Sequence, residues 1–282
     1  QSVLRKELEW VKRGARARTT KQKARLERYE ELKNASAPAV DGKVEISSVS
    51  TRLGKTTVEI EQIGKAYGDK VLIQDFSYTF LKNDRIGFIG PNGCGKTTLM
   101  KILTGEILPD AGKVILGQTV KIGYYAQEIG ETEMPSDKRV IDYIKDVAEY
   151  VKTQEGSVSA SQMLERFLFE GKDQYGLLSR LSGGEKRRLN LLKVLMGAPN
   201  VLILDEPTND LDITTLAILE DYLDSFSGIV ITVSHDRYFI NRTASRILDL
   251  SEGRLINYLG NYDYYLEKKA DLSASSLSNA AS

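Results

Sequence analysis

The sequence predicts an α/β fold in which a phosphate-binding loop joins a strand to a helix in a largely parallel sheet. Three observations carry this. Gly90-Pro91-Asn92-Gly93-Cys94-Gly95-Lys96-Thr97-Thr98 fits G-x-x-x-x-G-K-[ST] and lies between an apolar run, Asp84–Ile89, and a helical one, Thr97–Thr104. Val201-Leu202-Ile203-Leu204 and Gly228–Val233 are aliphatic runs of strand length, the pattern of parallel strands buried on both faces. The first ends in Asp205-Glu206 and the second in Ser234-His235-Asp236, so each strand delivers polar groups at its carboxyl end.

The loop residues have a physical role each. Gly90, Gly93 and Gly95 let the backbone turn tightly and approach an anion, with amides of the loop and helix start aimed at phosphate oxygens. Lys96 reaches the β- and γ-phosphates, and the Thr97 hydroxyl ligates Mg²⁺. Cys94 is the only cysteine, so no internal disulfide forms and a reducing compartment suits the chain. In the loop it reads as a small side chain that fits rather than a redox group.

With 282 residues the chain has room for about two domains. Its 41% hydrophobic and 28% charged content is that of a soluble globular protein, and no window approaches the ~18 apolar residues of a membrane span. It starts at Gln1 without a signal-peptide pattern, which suggests a piece of something larger. The net charge is zero but uneven. Gln1–Lys33 holds 11 basic and 5 acidic residues, leaving 28 basic and 34 acidic elsewhere. Leu4, Leu8, Val11 and Ala15 give this segment one apolar face, while basic residues from Lys12 to Arg25 fall on several faces. Two readings stand level on the residues alone: a rod touching phosphate backbones, or a solvated helical linker.

The remaining elements follow in order. Residues 34–57 form a linker, small and turn-rich at Asn34–Gly42. Residues 58–260 form the main domain, with strands at Val58–Ile63, Phe76–Leu81, Gly112–Leu116 and Val120–Tyr125 and a turn at Tyr67–Lys70. A polar, helical insertion covers about 128–197, with helices at Val140–Tyr150, Ser161–Phe169 and from Ser182 through Met196, where Ser182 is a plausible N-cap. Arg246–Leu250 and Arg254–Tyr258 form a hairpin at Glu252-Gly253. Residues 261–282 give a short helix, Asn261–Lys269, and a Ser/Ala-rich disordered tail.

Ligands of open α/β sheets sit beyond the carboxyl ends of the strands. Asp205 is there to hold Mg²⁺ beside Thr97. Glu206 is placed to orient and polarise the water that attacks the γ-phosphate. The competing reading, a carboxylate at a helix start near Pro207-Thr208, is weaker because the aliphatic run and the upstream loop accompany the pair. His235, the only histidine, reads as a γ-phosphate contact supporting that water. Gln127, after Tyr124-Tyr125-Ala126, links Mg²⁺ and water to the insertion.

Together these residues resemble an ATP-binding cassette (ABC) ATPase over about Val58–Tyr258. The loop Gly90–Thr98, Gln127, Leu181-Ser182-Gly183-Gly184-Glu185, Val201–Glu206, Asn209-Asp210-Leu211-Asp212 and His235 carry the resemblance, the Leu-Ser-Gly-Gly-Glu signature being the most specific. It implies an ABC-type nucleotide-binding domain: a mixed sheet core with an antiparallel β edge, plus a helical subdomain bearing the signature. It implies ATP and Mg²⁺, with Tyr67 stacked on adenine. It implies that Ser182, Gly183 and Gly184, with Glu185 in the same signature, face the γ-phosphate of an opposing cassette. Such cassettes hydrolyse ATP as head-to-tail pairs, so the expected partner is an N-terminal cassette of the full-length protein or a second copy.

Leu181–Leu189, Asp205–Asn209, Ser234–Phe239 and the close Tyr258–Tyr262 resemble the ABC-F group, cytoplasmic tandem-cassette proteins that act on ribosomes. Glu7–Val11 with Ala17–Arg25 resembles the second helix of their inter-cassette linker, which favours the basic segment as a contact to rRNA and tRNA. Asp210 departs from the His that many such cassettes carry, which leaves inter-cassette signalling open. The rival is the nucleotide-binding subunit of an ABC membrane transporter. It shares every motif from Gly90 to His235 but leaves the basic segment unexplained.

Overall fold

A computed structural model of the chain describes residues 53–126, 134–153 and 156–280, with backbone alone at 210 and 272–280. The expected helix and linker at 1–33 and 34–52, and Gln127, lie outside these residues.

The apolar–acidic alternation after Val58 makes a strand that continues to the turn, β1 (Val58–Tyr67), and returns as β2 (Lys70–Thr79). The return strand starts well before the expected Phe76. Its apolar start, Val71-Leu72-Ile73, is separated from Phe76 by Gln74 and by Asp75 at φ 45°, an irregularity that hides the alternation. β3 (Arg85–Ile89) leads through the glycine loop into α1 (Lys96–Thr104). β4 (Ala111–Leu116) pairs with β1, giving an antiparallel sheet of order β2-β1-β4. β5 (Ile122–Tyr125) opens the next sheet.

Between β5 and the signature, α2 (Val140–Lys145) is shorter than the expected Val140–Tyr150. Tyr150-Val151 and Val158 are aromatic or β-branched and lie either side of Gly156 at φ 123°. They form a hairpin, β6 (Tyr150–Thr153) and β7 (Gly156–Ser159), between the two expected helices, taking only Tyr150 from the first. Ser159 then caps α3 (Ala160–Arg166) in a capping box with Gln162. α4 (Gly171–Gln174) and a 3₁₀ turn (Leu178–Arg180) lead to α5 (Gly183–Met196).

β8 (Val201–Asp205) is followed by α6 (Pro207–Asp210) and α7 (Ile213–Ser225), and β9 (Ile229–Val233) by α8 (Arg237–Thr243). β10 (Arg246–Ser251) and β11 (Arg254–Tyr258) make the expected hairpin. The last helix, α9 (Tyr262–Ala280), runs well past Lys269, where disorder was expected; Leu272–Ala280 contains no Gly or Pro to stop it.

The second sheet has the order β11-β10-β3-β9-β8-β5, parallel except for β11. β8 and β9 are buried throughout. Leu202 and Leu204 pack toward the helical segment with Leu189, Leu192 and Met163, while Val201 and Ile203 pack with Phe88, Leu99 and Leu103. An aliphatic residue at every position is what a strand covered on both faces requires.

Candidate active site

Registry brings the polar strand ends to one edge. Phe88 lies opposite Val233, and Val233 opposite Asp205. The loop after β3, the carboxylates after β8 and His235 after β9 therefore open into one groove of about 820 Å³. Asn92, Gly93, Gly95, Lys96, Thr97 and Thr98 line it, facing Asp205, Glu206 and His235, with Tyr67 and Lys70 among its other walls.

The loop conformation needs its glycines. Gly90, Gly93 and Gly95 have φ of 150°, 71° and 109°. A Cβ on Gly90 would lie 2.3 Å from the Leu250 carbonyl and 2.9 Å from Cys94 Sγ. Gly95 is the N-cap of α1 and supplies no side-chain acceptor, so the first amides of that helix remain available to an anion. Lys96 is buried, and its ammonium donates to the carbonyls of Gly90 (2.8 Å) and Pro91 (3.0 Å) across the loop. Lys70 donates to Gly93 O at 2.8 Å, tying the β1–β2 turn to the loop. Tyr67 is half-exposed, with the Lys65 ammonium 5.3 Å from its ring centroid and Lys65 itself held by Asp110 at 2.7 Å.

Asp205 is completely buried. Tyr124 donates its hydroxyl to Oδ2 at 3.2 Å, whereas Oδ1 has no hydrogen-bond partner among the described residues. Burial raises its pKa, against the nearby Thr97 and Tyr124 hydroxyls, which lower it. A buried, unsatisfied carboxylate oxygen beside the Thr97 hydroxyl is a donor set for a hard divalent cation. Among the described residues no three His, Cys, Asp or Glu side chains converge on a metal position. A cation held by Thr97 and Asp205 would have to take its other ligands from substrate phosphates and water.

Glu206 adopts φ 52°, ψ 47°, a left-handed conformation uncommon for a residue with a side chain. Its amide donates to Val233 O at 2.8 Å, and its Oε2 accepts from the His235 amide at 3.3 Å. His235 Nε2 lies 3.3 Å from Oε1. Burial pushes the Glu206 carboxyl up to about 7, while burial and the Lys96 charge lower His235 below its usual value. The pair is thus a carboxyl whose burial resists ionisation beside an imidazole whose burial disfavours its charge.

Ser182, Gly183, Gly184 and Glu185 do not line the groove. Ser182 caps α5, its Oγ accepting from the Glu185 amide at 3.3 Å and its amide donating to Glu185 Oε2 at 2.8 Å. A Cβ on Gly183 or Gly184 would meet nothing within 4 Å. Gly90, Pro91 and Cys94 shape the loop without lining the groove. Lys70 and Tyr124 were not anticipated. Lys70 follows Tyr67 across a tight turn, a spacing that is a usable signal, whereas Tyr124 meets Asp205 only through the pairing of β5 with β8.

The chain has the fold of an ABC nucleotide-binding domain. The family model described as ABC transporter matches residues 73–209, which include the glycine loop, the signature and the Asp205-Glu206 pair. Two solved structures share the fold: an ATP-binding subunit of an ABC transporter (TM-score 0.62, 17% identity, 76% of this chain and 94% of that one) and a dimeric ATP-binding cassette in a post-hydrolysis state with ADP and Pi (0.58, 20%, 72% and 98%).

Among curated proteins the chain is 51% identical over 95% of its length to the uncharacterized ABC transporter ATP-binding protein YfmR of Bacillus subtilis, covering 43% of that protein. It is 40% identical over 97% of its length to the energy-dependent translational throttle protein EttA of Escherichia coli K12, and 39% over 96% to that of Mycobacterium tuberculosis H37Rv, covering 50% of each. The chain spans about half the length of these relatives.

Proposed function

We propose that this cassette binds and hydrolyses ATP as one half of a cassette pair in a cytoplasmic ABC-F protein, and that closure of the pair drives binding to the ribosome during translation. One observation supports the hydrolytic reading above all: Glu206, buried and held against His235, faces the glycine loop across a single groove. The loop amides and Lys96 hold the phosphates, and Tyr67 stacks on the adenine. Glu206 positions the attacking water and takes its proton, and the His235 imidazole supports the water at the γ-phosphate. Thr97 and Asp205 would hold Mg²⁺, joined by Gln127; it supplies charge neutralisation at the phosphates. Attack by water releases ADP and Pi.

The signature Ser182-Gly183-Gly184 stands open and away from the groove, which supports its use by the nucleotide of an opposing cassette. The name of the EttA relatives, an energy-dependent throttle of translation, supports the translational setting. The basic segment 1–33 supports contact with rRNA and tRNA.

A transporter-subunit reading is favoured by the description of the matched family model and by the name of the Bacillus subtilis relative. Among the described residues no helix is long and apolar enough to cross a membrane, and both readings accommodate that. Fractionation of cells expressing the full-length protein separates them. Sedimentation with ribosomes in the presence of ATP supports the proposal, and recovery in membranes with no ribosomal fraction refutes it.

A further inference from the structure

Asp249 is buried, carries chemistry and takes no part in the groove. Its Oδ1 accepts from Ser251 Oγ at 2.9 Å. Its Oδ2 accepts from Tyr265 Oη and from Lys269 Nζ, both at 2.9 Å, and Lys269 also donates to Tyr265 Oη at 2.5 Å. Tyr265 and Lys269 are four residues apart, on one face of α9. The Tyr265 ring packs edge-on to Tyr258 at 5.0 Å, in a core with Ile89, Ile240 and Ile247.

The place of this cluster gives it meaning. Asp249 is in register with Ile89, the residue before the glycine loop, and the next residue, Leu250, presents its carbonyl to Gly90. A second set of contacts joins α9 to the other side of the site. Asn241 Nδ2 donates to Asp263 Oδ2 at 2.8 Å, the Asp263 amide donates back to Asn241 Oδ1 at 3.3 Å, and the Arg237 guanidinium lies 5.3 Å from the Tyr262 ring centroid. Arg237 and Asn241 belong to α8, which starts two residues after His235. One helix is thus fastened to the strand end that supports the glycine loop and to the helix that follows the histidine.

We propose that α9 is a positioning element of the nucleotide site, locked by Asp249, Tyr265 and Lys269, so that displacing it loosens the glycine loop and lowers ATP affinity. The proposal rests on the ATPase reading. A carboxylate this deeply buried tolerates no rearrangement that strips it of its donors. Gly90 leaves no slack between the loop and Leu250, so movement at Asp249 is passed on to the loop. Whatever pulls on α9 then acts on nucleotide binding.

The test uses the full-length protein carrying Tyr265→Phe, which keeps the ring and removes one hydrogen bond, and Lys269→Met with Lys269→Arg as the conservative control. ATP turnover is measured well below the melting midpoint of each variant. The lock predicts KM for ATP raised about threefold to tenfold in Tyr265→Phe and Lys269→Met with a smaller change in kcat, and partial restoration by Lys269→Arg. A purely structural brace would lower the melting midpoint and leave KM alone. Should Lys269→Met fail to fold, Tyr265→Phe decides by itself. Folded variants with wild-type KM overturn the proposal, while loss of the ATPase reading shows separately, as wild-type turnover in Glu206→Gln.

Discussion

Glu206 is the residue on which the proposed chemistry turns, and its environment makes it testable by pH. Its carboxyl must be ionised to accept a proton from water, so kcat/KM falls as pH drops below about 7. A pH profile of the wild type against His235→Ala checks that this limb belongs to Glu206, since the variant should be slower and keep it. The same shift has a cost in stability. Between the ordinary 4.5 and about 7 the folded state holds more protons than the unfolded one, so stability falls as pH rises through that window. Glu206→Gln removes the titration and should stabilise the protein at pH 8 by on the order of 2 kcal/mol in denaturant unfolding. Asp205→Asn takes the charge from the proposed cation position; its activity should need a higher Mg²⁺ concentration, read from a Mg²⁺ titration of turnover. That these residues meet in one groove was legible because aliphatic runs end at them. Tyr124 was not, because its bond to Asp205 depends on which strands are neighbours, and that order does not follow the chain.

At the scale of elements, the signature helix separates stability from function. Ser182→Ala removes a cap whose loss costs about 1 kcal/mol, a drop that thermal unfolding should register. Gly184→Ala is different. The site has room for a Cβ, and alanine favours a helix over glycine by about 1 kcal/mol, so the fold should be unharmed or firmer. A fall in ATP turnover of at least about tenfold in that stable variant would show that Gly184 serves a nucleotide outside its own groove. The strands missed in the sequence each have a local reason. Residues 150–159 form a hairpin because aromatic and β-branched residues flank Gly156, but the segment is too short and polar for its alternation to stand out. The first half of β2 was hidden by the break at Asp75. Local pattern identified β8 and β9 because those strands are covered on both faces, and it failed at β2, where Asp75 interrupts the alternation, and at β6 and β7, which are four residues each.

At the scale of the whole molecule, one cassette places its Ser-Gly-Gly away from its own nucleotide groove, and the chain spans about half of its curated relatives. Both facts fit a site completed by another cassette. If the basic segment 1–33 meets RNA phosphates, ribosome affinity should fall steeply as salt rises, with a slope on a log–log plot close to the number of phosphates neutralised. Pelleting over a salt series reads that slope. The most direct measurement is ribosome retention of full-length Glu206→Gln with ATP, beside its turnover. The account predicts ATP-dependent retention above wild type with turnover lost. Wild-type turnover, or retention indifferent to ATP, would contradict it.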